Sequence, residues 1–241
     1  MSEFSNKLAR AATMKPLHRK ILFVVLWYLV YPQLWYLYLI PELFFDPGNL
    51  LSLSAILISY LVGLIDTYFR PFSESIRGDL KTNPVYNFIL LGLFILNPLL
   101  VILAFHENRL LIAGSLPLWD KPIVSYLGLL LLIVGGAISV TGRAQLARFG
   151  SGVLHIEDDH RLITTGVFGY IRHPVYAGGI LGVVGFYVAF RSVIMLILVS
   201  LLYFIVIRHR MLFEEEMLVD EFGDEYREYM KRTKRLIPFL Y

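Results

Sequence analysis

The sequence predicts an all-α, polytopic membrane helix bundle of about six transmembrane helices with both termini in the cytoplasm. Three observations predict it. Hydrophobic residues fill 57% of the 241 positions and charged residues only 17%, against roughly 45–50% and about 25% in soluble domains. Apolar runs near the length of a bilayer core, about 20 helical residues, recur along the chain. Once six spans are threaded, 19 of the 22 Lys and Arg fall on one side, which the positive-inside rule makes cytoplasmic.

The spans lie at 21–40, 49–66, 84–105, 122–141, 174–190 and 192–207. The first follows a basic stretch (Lys15, Arg19, Lys20) and runs on without a small-residue cleavage site, so it reads as a retained span. Pro32 and Pro98 stand inside spans one and three, where local kinks are expected. Spans five and six are short and separated only by Arg191 and its neighbours, which predicts a tight helical hairpin. Gly178, Gly179, Gly182 and Gly185 in span five suit close helix packing. Only Arg109, Lys121 and Arg191 fall on the far side of the membrane.

Composition excludes several function classes. The chain has no cysteine, so disulfides, thiolate metal sites and a thiol nucleophile are absent. A net charge of +3 and a pI near 9.0 follow from the positive-inside bias, and no nucleic-acid partner is expected. His155, Glu157, Asp158 and His160 lack a spacing that demands a metal, and none is expected. No glycine-rich loop fits a nucleotide-phosphate site.

The polar segments are cytoplasmic. Residues 142–173 form a connection of about thirty residues, too long for a simple linker. Arg172 and His173 precede Pro174, which suits the first turn of span five. Two readings stand for that basic pair: a positive-inside anchor, or an anion site near the positive end of a helix. Glu214, Glu215 and Glu216 follow the end of span six. They read either as a solvated helix face or as acids that take a ligand's hydroxyl or amino groups. Consecutive residues cannot share one helical face, so at most one or two of the three point inward. Met217, Leu218, Phe222, Tyr226, Tyr229 and Met230 recur at helical spacing and predict an amphipathic C-terminal helix. Because spans five and six form a hairpin, the basic pair and the acidic cluster meet at one membrane face.

The stretch from His160 to Gly166, then Arg172-His-Pro-Val-Tyr-Ala-Gly178, resembles the isoprenylcysteine carboxyl methyltransferase family. So do Glu214-Glu-Glu-Met-Leu218, Phe222 to Tyr229, and Ile237-Pro238. The resemblance runs from about Arg143 to the C-terminus. It divides the chain into divergent N-terminal spans (1–141) and a methyltransferase core (142–241). It implies an S-adenosylmethionine-dependent O-methyltransferase with a cytoplasmic cofactor pocket. The lipophilic acceptor, a prenylated cysteine or similar carboxylate, reaches it from the bilayer and its lipids. By the same resemblance Arg172 and Glu215 are the catalytic candidates, and His160, His173, Tyr176, Glu214, Tyr226 and Tyr229 bind the cofactor. Phe168 stands where the family commonly has tyrosine. Other readings are a phospholipid or small-molecule N/S-methyltransferase, a sterol-type NADPH reductase, and a non-catalytic membrane module.

Overall fold

Three of the long helices begin on proline: Pro84, Pro122 and Pro174 each occupy the first helical position, where a missing N–H leaves no bond unmade. The computed structural model describes residues 26, 30–69, 84–112, 115–146, 162–238 and 240–241. In chain order these form α1 (Tyr31–Leu39), the single turn α2 (Glu42–Phe45), α3 (Leu50–Phe69), α4 (Pro84–Glu107), α5 (Pro122–Leu146), α6 (Pro174–Ala189), α7 (Val193–Phe222) and α8 (Asp224–Arg232). Short 3-10 turns precede α3 and α6, and a π turn follows α4. No strand occurs among the described residues, which contain one isolated parallel bridge between Ile171 and Lys234.

Among the described residues three segments are long and apolar enough to cross a membrane: Pro47–Asp66, Pro122–Leu146 and Val193–Phe222. The apolar helix α6 has 16 residues, about 24 Å at roughly 1.5 Å per residue. That is short of a core about 30 Å thick, so α6 depends on its neighbours to span it. By contrast α7 has 30 residues and reaches about 45 Å. Its apolar part ends near Ile207, and the segment from Arg208 projects beyond the membrane with its acidic cluster.

Close backbone contact joins α5 to α6. A Cβ at Gly135 would lie 2.6 Å from the Gly178 carbonyl and from the Gly182 nitrogen. One at Gly178 would lie 2.5 Å from Ser139 N, and one at Gly185 would lie 2.7 Å from the Gly128 carbonyl. Lipid tails offer no hydrophobic drive for helix association, so backbones that can touch are the device that holds such a pair. The glycines of α6 were legible as a packing surface; Gly128 and Gly135 on α5 meet them, and Gly142, seven residues further on, packs against Pro174 and Val175. Leucines and isoleucines such as Leu127, Leu130, Ile197 and Leu201 stand exposed on the outer faces, as lipid-facing residues must.

The hairpin expected at Arg191 is present, and it is tight: α6 ends at Ala189 and α7 starts at Val193. Arg191 takes a left-handed backbone with φ 55°. Its guanidinium donates to the Asp120 carboxylate at 3.0 Å and also to the Asp120 carbonyl. Glu107, buried at the end of α4, accepts from Ile194 N at 2.8 Å, from Met195 N at 3.2 Å and from the Ser192 hydroxyl. A carboxylate thus satisfies the first free N–H groups of α7, at the end where negative charge is favoured.

Pro98 stands inside α4, and Pro32 lies in the first turn of α1, with Val30 before it already helical. One expectation is corrected. The C-terminal apolar face is not one helix. Gly223, with φ 54°, ends α7 and starts α8, a backbone region glycine enters without a Cβ penalty. Tyr226 and Tyr229 are thereby carried on a separate, short helix.

Candidate functional site

The site forms where the start of α6, the outer part of α7 and the segment after α8 converge. The turn Gly166–Gly169 leads in: Gly166 has φ 61° and lies against the Gln145 amide, whose oxygen accepts from Val167 N at 3.2 Å. The chain then pairs with the C-terminal segment. Arg172 N donates to the Lys234 carbonyl at 2.7 Å, and His173 N to the Arg235 carbonyl at 3.0 Å. Beneath lies a small apolar cluster of Ile207, Met211 and Leu236, with Tyr176, Ile180, Tyr203 and Tyr241 against it.

Glu215 is the centre of the polar network. Its Oε1 accepts from Arg172 Nε at 2.9 Å and faces His173 Nε2 at 3.2 Å. Its Oε2 accepts from Arg235 Nε at 2.9 Å and from Nη2 at 2.8 Å. Only 4% of the residue is exposed. Burial pushes the Glu215 carboxyl up, but hydrogen bonds from His173, Arg235 and Arg172 outweigh it and hold the group at about 2. The same hydrogen bond, against a smaller opposing effect of burial, raises Arg235 above its ordinary value.

Arg172 also donates from Nη1 to the carbonyls of Met230, at 3.1 Å, and Thr233. Glu215 thus stands as an anion of the protein itself beside this basic pair. Glu214 looks the other way: its Oε2 accepts from the Tyr176 hydroxyl at 2.8 Å, and its side chain is 32% exposed. The Tyr176 oxygen in turn accepts from Arg210 Nε at 2.7 Å. The His173 and Tyr176 rings stack with centroids 5.5 Å apart. Glu216 is exposed, so one of the three acids is buried, one half-buried and one in solvent, as two successive steps of about 100° around the helix place them.

Tyr226 and Tyr229 are buried, with ring centroids 5.8 Å apart. The Tyr229 hydroxyl donates to the Phe168 carbonyl at 2.6 Å. Burial pushes Tyr229 up to about 12, against an opposing effect of Arg172, and raises Tyr226 as well. The Tyr229 hydrogen bond thus ties α8 to the turn that precedes α6. The Phe168 side chain is buried too, and the contact at that position is made by its backbone. Among the described residues no cluster of His and acidic side chains could hold a metal ion. His160 lies outside the described residues, with His155, Glu157 and Asp158.

Sequence reasoning missed Arg210 and Arg235, which the positive-inside rule had absorbed as anchors. Their signal was position: Arg210 stands four residues before Glu214, one helical turn away. Nothing local distinguishes Arg235 from Arg232 or Lys234.

A family model described as phospholipid methyltransferase matches residues 123–225. That match starts earlier than the resemblance noted from Arg143 and takes in α5. A probable protein-S-isoprenylcysteine O-methyltransferase of Oryza sativa subsp. indica is 34% identical over 119 residues, covering 48% of this chain and 62% of that protein. The Homo sapiens protein-S-isoprenylcysteine O-methyltransferase is 32% identical over 122 residues, covering 48% of this chain and 42% of that one. The chain thus spans about three fifths of the rice relative and two fifths of the human one. A solved structure of a eukaryotic intramembrane Ras methyltransferase, an isoprenylcysteine carboxyl methyltransferase, shares the fold. Its TM-score is 0.61 at 22% identity, over 88% of this chain and 73% of that one. Residues 123–225 thus match the phospholipid methyltransferase family model, and the chain is similar in sequence to isoprenylcysteine O-methyltransferases and shares the fold of one.

Proposed function

We propose that the protein is an integral-membrane methyltransferase that uses S-adenosylmethionine to methylate the carboxylate of a lipophilic acceptor, foremost a prenylated cysteine. The Lys and Arg bias supports a cytoplasmic site. One observation carries the reading: two sequence blocks some forty residues apart converge, with Tyr176 on Glu214 at 2.8 Å and Arg172 on Glu215 at 2.9 Å. The residues fit the cofactor chemically. The half-buried Glu214, the Tyr176 ring and the His173 edge that faces Glu214 offer negative charge, hydrogen-bond acceptors and aromatic surface to a cationic, hydroxyl-rich ligand.

When bound, the cofactor supplies a methyl group activated by a sulfonium. Glu214, held by the Tyr176 hydroxyl, and His173 bind and orient it. Arg210 brings positive charge to the same hydroxyl at 2.7 Å, and is assigned to the acceptor carboxylate. Arg172 is assigned to holding Glu215, because its Nε and Nη1 are engaged within the protein. A carboxylate acceptor is ionised at neutral pH, so no general base is required. The protein's task is to align two ligands of opposite polarity and keep water out. The exposed apolar faces of α5 and α7 give the acceptor a route from the bilayer.

The family match supports a second reading, in which the acceptor is a phospholipid amine and Glu214 takes its proton. Both are tested on detergent-purified full chain. Calorimetry with S-adenosylmethionine, S-adenosylhomocysteine and NADPH comes first, then transfer of labelled methyl to a farnesylcysteine analogue or to phosphatidylethanolamine. Binding of the first two ligands and labelling of the farnesylcysteine analogue is the expected result. Labelling of the phospholipid alone selects the second reading, and binding of NADPH alone overturns both.

A further inference from the structure

Glu215 gives its two oxygens to different partners. Oε2 is taken twice by Arg235, leaving Oε1 for Arg172 and His173. An ionised carboxylate is an acceptor only, so His173 Nε2, 3.2 Å from Oε1, carries the hydrogen. In a neutral imidazole the other nitrogen then holds a lone pair. That nitrogen, Nδ1, lies 3.9 Å from Glu214 Oε2, and two acceptors so placed share one donor supplied from outside.

We propose that Arg235 is a positioning residue, which through Glu215 fixes the His173 ring with Nε2–H inward and the Nδ1 lone pair beside Glu214. The reason lies in competition for one carboxylate. Without Arg235, the planar fork of Arg172 can take both Glu215 oxygens, the arrangement guanidinium and carboxylate prefer. Oε1 then turns away from Nε2, and neither tautomer is held. Arg235 is suited to prevent this because its own backbone carbonyl accepts from His173 N at 3.0 Å, so guanidinium and imidazole are fixed to one frame. Among the described residues the titratable groups against this ring are Glu214, Glu215 and Tyr176; Arg172 and Arg235 reach it through Glu215 and Arg210 through Tyr176, and of these Arg235 comes from the segment after α8. The proposal deepens the methyltransferase reading by giving His173 Nδ1 and Glu214 a joint role toward a ligand N–H or O–H donor.

The test uses full chain in detergent with 15N-labelled histidine at pH 8. The chain has 6 histidines, and a His173→Asn variant assigns the relevant resonance. The expected wild-type spectrum shows Nδ1 as the unprotonated nitrogen, Arg235→Gln shows a tautomer mixture, and Arg235→Lys restores the wild-type pattern. Arg235→Gln is further expected to raise the Kd for S-adenosylmethionine by roughly tenfold, the worth of about one hydrogen bond. A wild-type Nδ1–H tautomer, or an Arg235→Gln spectrum identical to wild type, overturns the proposal. Because the spectra need no ligand, they succeed or fail separately from the methyltransferase reading. A purely structural role for Arg235 lowers the melting temperature while leaving the tautomer of the folded fraction unchanged.

Discussion

Replacing Glu215 by Gln keeps the side-chain size but removes a charge that joins the start of α6, α7 and the C-terminal segment. The native carboxyl is displaced from 4.5 to about 2, burial raising it and the hydrogen bonds from His173, Arg235 and Arg172 lowering it further. At about 1.4 kcal/mol per unit that displacement amounts to ~3 kcal/mol. This agrees with the roughly 3–5 kcal/mol lost when one partner of a buried ion pair is removed. For a chain of this size each kcal/mol moves the melting temperature by about 2–4 °C, so a drop of roughly 6–12 °C is expected. The assay is thermal unfolding of the detergent-purified chain, followed by intrinsic fluorescence, at pH 7 and in steps down to pH 2. A folded-state value below the unfolded one stabilises in full above about pH 4.5, and the benefit disappears as pH falls toward 2. The wild type should lose stability across that window, and Glu215→Gln should lack that component. A variant that melts like wild type at pH 7 would refute the view that Glu215 is the structural centre of the site.

Three further perturbations have expected outcomes. Gly178→Val puts a branched side chain where even a Cβ would lie 2.5 Å from Ser139 N. It should separate α5 from α6 and abolish recovery of folded protein, whereas Gly92→Ala, with nothing within 4 Å of its Cβ, should purify as wild type. Glu107→Ala strips the first turn of α7 of its acceptor for Ile194 N and Met195 N. A loss of about 1–3 kcal/mol is expected in thermal unfolding, with ligand binding unchanged because the site is at the other end of α7. Tyr176→Phe removes the hydroxyl that joins Glu214 to Arg210. It should raise KM for S-adenosylmethionine severalfold in a methyl-transfer assay with little change in melting temperature, and an unchanged KM would remove Tyr176 from the cofactor's surroundings.

The membrane class, the hairpin at Arg191 and the glycine face of α6 were legible because each is written in local pattern: hydropathy, charge bias and small-residue spacing. The convergence of Arg172–Tyr176 with Glu214–Glu215 was legible too, since a hairpin returns both blocks to one membrane face. The break at Gly223 was harder to read, because helical spacing of apolar residues continues across it from Met217 to Met230. Arg210 and Arg235 were invisible as site residues, because a basic residue outside a span satisfies the positive-inside rule whatever it touches.

By itself the sequence determined the membrane class and the helical fold, since transfer of about 20 apolar residues into hydrocarbon is a sum over neighbours in the chain. It determined equally that the chemistry-bearing residues gather at one end of the helical hairpin. Only the tertiary structure decided what each of them does. Glu215 turns inward to Arg172, His173 and Arg235 while Glu214 turns outward to Tyr176, although the two are neighbours of the same type. That difference arises from a 100° rotation on α7 and from a C-terminal segment that folds back across twenty residues to meet it. Hydrogen bonds and charge depend on distance in space, and no local pattern encodes which of two adjacent carboxylates the returning chain will reach.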